Sequence, residues 1–263
     1  MPIRLNLPAT RTLLPLALVA LLGGCASPMS GDGPEGLADS PWAATSIRST
    51  DVQGWQHQAF PGKTAVSFQP AHKLGRHAIE VRSESAASML RQRVRIEPDR
   101  LGQLRFSWLV PSLIASADMS KRDADDSPVR LILMFDGDRS RFSARDAALS
   151  DLSEALTGEP MPYATLMYVW SNDGASGPVI INPRTGRIRK LVMESGAGKL
   201  GQWLDYERDV RADFERAFGE QPGALVAIGI MTDTDNTRSL AQAWYGPIAH
   251  LPFRARPVTA QAD

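Results

Sequence analysis

Two short acidic segments carry the side chains best suited to chemistry in this chain of 263 residues. Thr232-Asp233-Thr234-Asp235-Asn236-Thr237 follows directly on an apolar run at 225–231. Oxygen donors packed this closely at a strand end suit calcium, a hard cation that takes six to eight oxygens. The segment is not an EF-hand loop. Counting from Asp233, the sixth position is Arg238 where that loop needs Gly, and the twelfth is Trp244 where it needs Glu. Asp125-Asp126-Ser127-Pro128 precedes a second apolar run in the same way. Adjacent carboxylates repel, so such a pair sits in open solvent or around a cation. Asp125, Asp126, Asp233, Asp235 and Asn236 are therefore the candidate metal set, with Ca2+ as the candidate cofactor. The same residues also fit solvated turns in which Asp and Asn satisfy nearby backbone groups. If the two loops meet in space, Asp125 or Asp126 and Asp233 or Asp235 could share one site.

Arg91, Arg93 and Arg95 form a basic row at strand spacing. It could grip an anionic group through bidentate contacts. Ion pairing with Glu80 and Glu84 on the preceding strand is the simpler expectation. Trp244 and Tyr245 are consecutive on a predicted strand, so their rings point to opposite faces and one leaves the core. Trp203, Trp244 and Tyr245 are the candidate platforms for a sugar, whose apolar ring face covers a flat aromatic. Catalytic signatures are sparse. His72 and His77 show no metal-ligand spacing, and Ser195 lacks the Gly two residues earlier that a nucleophile elbow needs. There is no Gly-rich phosphate loop.

The elements that must hold these residues are mostly strands. Period-two alternation marks residues 79–82, 90–96, 104–108, 129–135 and 166–170. The first two read as an antiparallel hairpin around 84–87. Residues 225–231 are apolar at nearly every position, which suits a central strand covered on both faces. Residues 240–245 and 248–253 read as a final pair around Gly246-Pro247. Val210, Phe214, Ala217 and Phe218 define a helix with Asp205 as its cap and Gly219 as its stop. Leu149, Leu152 and Leu156 mark a shorter helix within 136–161. The pattern predicts a mostly β fold: an antiparallel β-sandwich of jelly-roll type with one or two short helices, an α+β fold being the second choice.

Equal numbers of acidic and basic residues, 29 of each, argue against nucleic acid as a partner. The single cysteine, Cys25, excludes an internal disulfide framework. Arg4 and Arg11 precede an apolar stretch at 13–22 of signal-peptide length, and Leu22-Gly23-Gly24-Cys25 resembles a bacterial lipobox. This predicts cleavage before Cys25 and lipid on its thiol and new amino terminus. The domain map that follows is a signal peptide at 1–24, a lipidated flexible tether at 25–41, one β-sandwich domain at 42–256 and a polar tail at 257–263. Ala26-Ser27, with no Asp after the cysteine, suits outer-membrane sorting in a Gram-negative envelope, with the domain in the periplasm.

The motifs also resemble one bacterial family. They run Asp125-Asp126-Ser127-Pro128-Val129-Arg130, Tyr168-Val169-Trp170, Glu194-Ser195-Gly196, Trp203, and Arg208-Asp209-Val210. Asp213-Phe214, Phe218-Gly219-Glu220, the 231–237 segment and Ala243-Trp244-Tyr245-Gly246 complete the series. Their order and spacing resemble the bacterial domain-of-unknown-function family 3047 over roughly residues 55–253. The resemblance implies an envelope protein and supplies no activity. Arg130 and Arg208, inside these motifs, join the ligand-contact candidates. By analogy the strand order is similar to galactose-binding-type jelly rolls of carbohydrate-binding modules. The expected function is a lipid-anchored, non-catalytic module that binds a glycan or another envelope component. The alternative is a polysaccharide or peptidoglycan hydrolase with two carboxyl groups facing across a cleft. A structural lipoprotein that binds a protein through its aromatic edge is a third reading.

Overall fold

A computed structural model describes residues 34–47, 54–174 and 176–251. In chain order the elements are α1 (Pro41–Thr45), β1 (Gln56–Ala59), β2 (Ser67–Lys73), β3 (Arg76–Glu84), β4 (Ser88–Ile96), β5 (Gln103–Leu109) and β6 (Ser127–Phe135). Next come α2 (Ala144–Thr157), β7 (Ala164–Ser171), β8 (Val179–Ile181), β9 (Ile188–Ser195), β10 (Trp203–Asp209) and α3 (Val210–Phe218). The last three are β11 (Leu225–Asp233), β12 (Leu240–Tyr245) and β13 (Ala249–Leu251).

The strands form two sheets. One has seven strands in the order β1-β4-β11-β6-β7-β9-β8, the other the order β10-β5-β12-β3-β2 with β13 added beside β5. Alternation puts Leu90, Leu131, Leu133, Tyr168, Ile228 and Ile230 inward from the first sheet, against Ile79, Val81, Leu104, Phe106, Trp108 and Tyr245 of the second. Phe106 and Tyr168 stack between the sheets with centroids 5.4 Å apart. Each such side chain removed from water contributes about 1.5–3 kcal/mol, and the sum fastens the two layers. The predicted β-sandwich is what forms, and β11 is the central buried strand that its apolar run requires.

Several local expectations change. Strands β3 and β4 do not pair: the corner at 85–87 carries the chain from one sheet to the other. That crossing is fixed by Thr234, whose N–H donates to the Ala86 carbonyl and whose Oγ1 lies 2.9 Å from Ser83 Oγ. The Arg row therefore has other partners: Glu159 takes Arg91 and Arg93, and Glu97 takes Arg95. Strands β12 and β13 both pair with β5 rather than with each other. Strands β7 and β9 run parallel, an exception to the antiparallel rule of the remaining pairs.

The helices differ in the same informative way. Helix α3 is capped by Asp209, not Asp205, through a bond from Ala212 N–H; Asp205 lies in β10. Gly219 ends it in the left-handed conformation, as expected. Helix α2 is longer than α3, and Leu152 and Leu156 are exposed on it. Its inward side chains are Asp146 and Ser150, held by Thr185 and Arg139. Among the described residues three α-helices form, where one or two were expected. The extra one, α1, belongs with residues 34–40, assigned above to the tether. Leu37 and Trp42 are buried in the main core, so among the described residues the packed part reaches back to Leu37. Cys25, the signal peptide and the polar tail lie outside the described residues.

Candidate functional site

Strands β6 and β11 are neighbours, so the two acidic segments, one before β6 and one ending β11, arrive at the same end of the seven-stranded sheet. The sequence could not show this meeting. Arg130 joins them: its Nε donates to Asp233 Oδ1 at 2.8 Å, and its Nη2 to Asp125 Oδ1 at 3.0 Å. Lys190 reaches Asp125 Oδ1 at 2.6 Å and the Met119 carbonyl at 2.8 Å. Arg130, Lys190, Asp125 and Asp233 are all buried. Asp126, also buried, accepts from Thr237 N at 2.7 Å, Thr237 Oγ1 at 2.6 Å and Asn236 Nδ2 at 2.9 Å. Lys63 pairs with Asp235.

Desolvation and pairing compete in this cluster. Burial alone would raise the Asp125 pKa, but Arg130 and Lys190 outweigh it and hold the carboxyl below its ordinary value. Burial, aided by repulsion from Arg130, brings Lys190 down to about 8 despite Asp125. Asp233 goes the other way: burial pushes it up to about 6, against the pull of Arg130. Burial disfavours the charge on Arg130, yet Asp233 and Asp125 together raise its pKa.

The carboxylates of Asp126, Asp233 and Asp235 lie within 4.8 Å of one another, a spacing that a cation could use. In this structure those oxygens already have protein partners. The oxygens of Asp126 are taken by donors from 236–237, Asp235 by Lys63, and Asp233 by Arg130 and the Ser127 N–H. Asp125, the fourth acid of the expected set, faces Arg130 and Lys190 instead. Protein cations and N–H groups thus hold the acids here, and Asn236 donates to Asp126.

This network forms one end of a groove on the outer face of the seven-stranded sheet, with a volume of about 560 Å3. Its floor comes from outward-facing positions of β4, β11, β6 and β7: Met89, Met231, Ile132, Met134 and Met167. Gly229 lies in this floor, where a Cβ would come within 3.3 Å of the Met89 sulfur. One wall is Phe60, Pro61 and Lys63 between β1 and β2. The other includes Asn182 and Arg184 between β8 and β9. Asn182 Nδ2 donates to Asp125 Oδ2, and Arg184 reaches Asn236 and the Arg122 carbonyl. Arg184 has no carboxylate partner among the described residues.

The aromatic candidates lie elsewhere. Trp244 and Trp203 sit on the outer face of the six-stranded sheet, across the sandwich from the groove. The Lys73 ammonium covers the Trp244 ring at 4.0 Å, and the Arg76 guanidinium covers Trp203 at 5.2 Å. Trp244 is buried, and Trp203 is half-buried beneath Arg76, so neither presents a bare open ring. Tyr245 points inward: its hydroxyl accepts from Arg130 N–H and donates to the Met231 carbonyl, linking the two sheets. Arg208 is held by Asp213, which also accepts from the Tyr168 hydroxyl, so it anchors α3. Of the ligand-contact candidates only Arg130 belongs to the groove. Five of the nine methionines line it, and nothing in their types announced a site; alternation on four strands that end up adjacent was the one available signal.

Fold and groove together define a two-layered β-sandwich with an apolar, polar-ended groove on one outer face. The chain belongs to the DUF3047 family, described as a protein of unknown function, which it matches over residues 53–249. No curated protein matches it. Among solved structures it is similar to the xyloglucanase domain of NopAA, a type three effector from Sinorhizobium fredii, in complex with cellobiose. The identity is 8%, the TM-score 0.38, and the match covers 76% of this chain and 93% of that one.

Proposed function

We propose that this protein is a lipid-anchored, non-catalytic module of the bacterial envelope that seats a glycan chain in the groove of its seven-stranded sheet. The observation that carries the reading is the pairing of an apolar floor with planar polar side chains at one end. A sugar ring has an apolar C–H face and a rim of hydroxyls. Met89, Ile132, Met167 and Phe60 suit the first; Asn182, Arg184, Asn236 and Asp235 suit the second. A hydrolase needs two carboxyl groups facing each other across the bond to be cut. The acids of this groove instead cluster at one end, and Asp125 and Asp233 share a single guanidinium. Binding is the better-supported function.

The test is calorimetry of the full chain with soluble glycan strands prepared from peptidoglycan, and with cello-oligosaccharides as a second probe. Met167→Lys and Arg184→Ala are expected to weaken binding at least about tenfold, a loss of about 1.4 kcal/mol. Trp244→Ala is expected to leave it unchanged. Binding that responds to Trp244→Ala but not to the groove variants, or no binding to either probe, overturns the reading. Release of new reducing ends favours the hydrolase. The anchor is tested apart from this, by palmitate labelling of wild type against Cys25→Ala; equal labelling would remove it.

A further inference from the structure

The hairpin of β2 and β3 carries a feature that the groove does not use. Its turn is Leu74-Gly75, both with positive φ (49° and 81°), as a two-residue type I′ turn requires. Lys73 and Arg76 flank the turn in register, and His72 faces His77 at the next rung. In such a hairpin the flanking pair exchanges the ladder hydrogen bonds. The next pair is the non-hydrogen-bonded one, whose Cα atoms approach to about 4.5 Å and whose side chains lie closest. The two imidazoles are exposed, with centroids 5.2 Å apart and planes at 71°. Neither ring has a hydrogen-bond partner among the described residues.

We propose that His72 and His77 form a two-imidazole site for a borderline divalent transition ion of the zinc type. Nitrogen ligands about 2.0–2.1 Å from one tetrahedral ion hold their ring centroids about 5 Å apart, the spacing already present here. The hairpin is also fixed before an ion arrives. Arg76 makes two hydrogen bonds to Asp205, at 2.6 and 3.1 Å, and lies over Trp203. Lys73 lies over Trp244, and its carbonyl accepts from Trp203 Nε1. These contacts draw the two neighbouring cations to the opposite face of the strand pair, away from the imidazoles. Two positions of a tetrahedral shell remain for water or for a donor atom brought by a partner.

The site is tested with Zn2+ alone, titrated by calorimetry into the untagged full chain at neutral pH. One ion per chain is expected, with His72→Ala and His77→Ala each weakening uptake at least about tenfold. Both positions are exposed, and unchanged thermal unfolding of the variants confirms that the fold is kept. Asp235→Asn, which alters the acidic cluster on the other sheet, is expected to leave uptake unchanged. Cu2+ bound in place of zinc should show two nitrogen ligands by electron paramagnetic resonance. Absence of uptake at millimolar Zn2+, equal uptake by the histidine variants, or a loss confined to Asp235→Asn overturns the proposal.

Discussion

Arg130 Nε stands 2.8 Å from Asp233 Oδ1, in a pair whose side chains are 3% and 6% exposed. The two residues belong to adjacent strands, and the second arm of the same guanidinium holds Asp125. One buried cation thus ties the start of β6 to the end of β11 and to the loop before β6. A charge pair this deep is weak evidence of net stability, because both ions have left water. Removing one partner is a different matter, since it strands the others.

Arg130→Ala is accordingly expected to destabilise the fold by about 3–5 kcal/mol. The unpaired Asp125 and Asp233 carry the cost, so Arg130→Met combined with Asp233→Asn should recover part of it. Urea denaturation of the single and double variants measures the coupling. Additive losses would show that the pair is not coupled.

The raised pKa of Asp233 has a definite consequence for stability against pH. In the folded state this carboxyl holds its proton to about 6, against 3.8 when unfolded. Its contribution is therefore fully present below 3.8 and is lost as pH rises through 6. From pH 4 to pH 7, wild type should lose roughly 2.4 kcal/mol relative to Asp233→Asn. A difference that stays constant over this range, or grows with pH, contradicts the assignment.

Calcium should have no effect on folding. The acidic loops are already neutralised and hydrogen-bonded from within, so millimolar Ca2+ is expected to leave the unfolding temperature unchanged. Asp126→Ala, by contrast, strips the 236–237 turn of its acceptor and should cost about 2–3 kcal/mol. Differential scanning calorimetry with and without calcium reads both. A saturable rise in unfolding temperature would mean that an ion displaces the internal donors.

Leu74 adopts φ 49° with 67% of its surface exposed, a conformation that costs an L-residue about 1–2 kcal/mol and recovers little by burial. Leu74→Asn should stabilise the protein by about 1 kcal/mol, because Asn accepts this region and suits a type I′ turn. Thermal unfolding provides the comparison. A lower unfolding temperature would assign the leucine a contact beyond its own hairpin.

Much of the fold was readable where one segment determines its own state. The apolar run of β11 and the Gly219 stop of α3 are local signals, and both hold. Sheet membership is not local. Residues 79–82 and 90–96 alternate alike, and period two does not say whether the corner between them closes a hairpin or crosses the sandwich. Thr234, more than a hundred residues away, settles it through Ala86 and Ser83. The site divides in the same way. Its acids were conspicuous by type, whereas Lys190 reaches Asp125 only because β9 joins the sheet in parallel beside β7. Ring type alone marks the tryptophans as platforms, whereas the cations that cover them come from the β2–β3 hairpin.

The short outer strands have one more consequence. The seven-stranded sheet ends in β1 and β8, of four and three residues. The other sheet ends in β2, where Pro70 has no N–H to offer, and in β10, whose Asp205 and Glu207 are exposed acids. A second chain meets two short edges on one sheet, and on the other a proline and an edge carrying the Arg76–Asp205 and Arg105–Glu207 ion pairs. Crowded copies of this domain are thereby kept from joining edge to edge into aggregates.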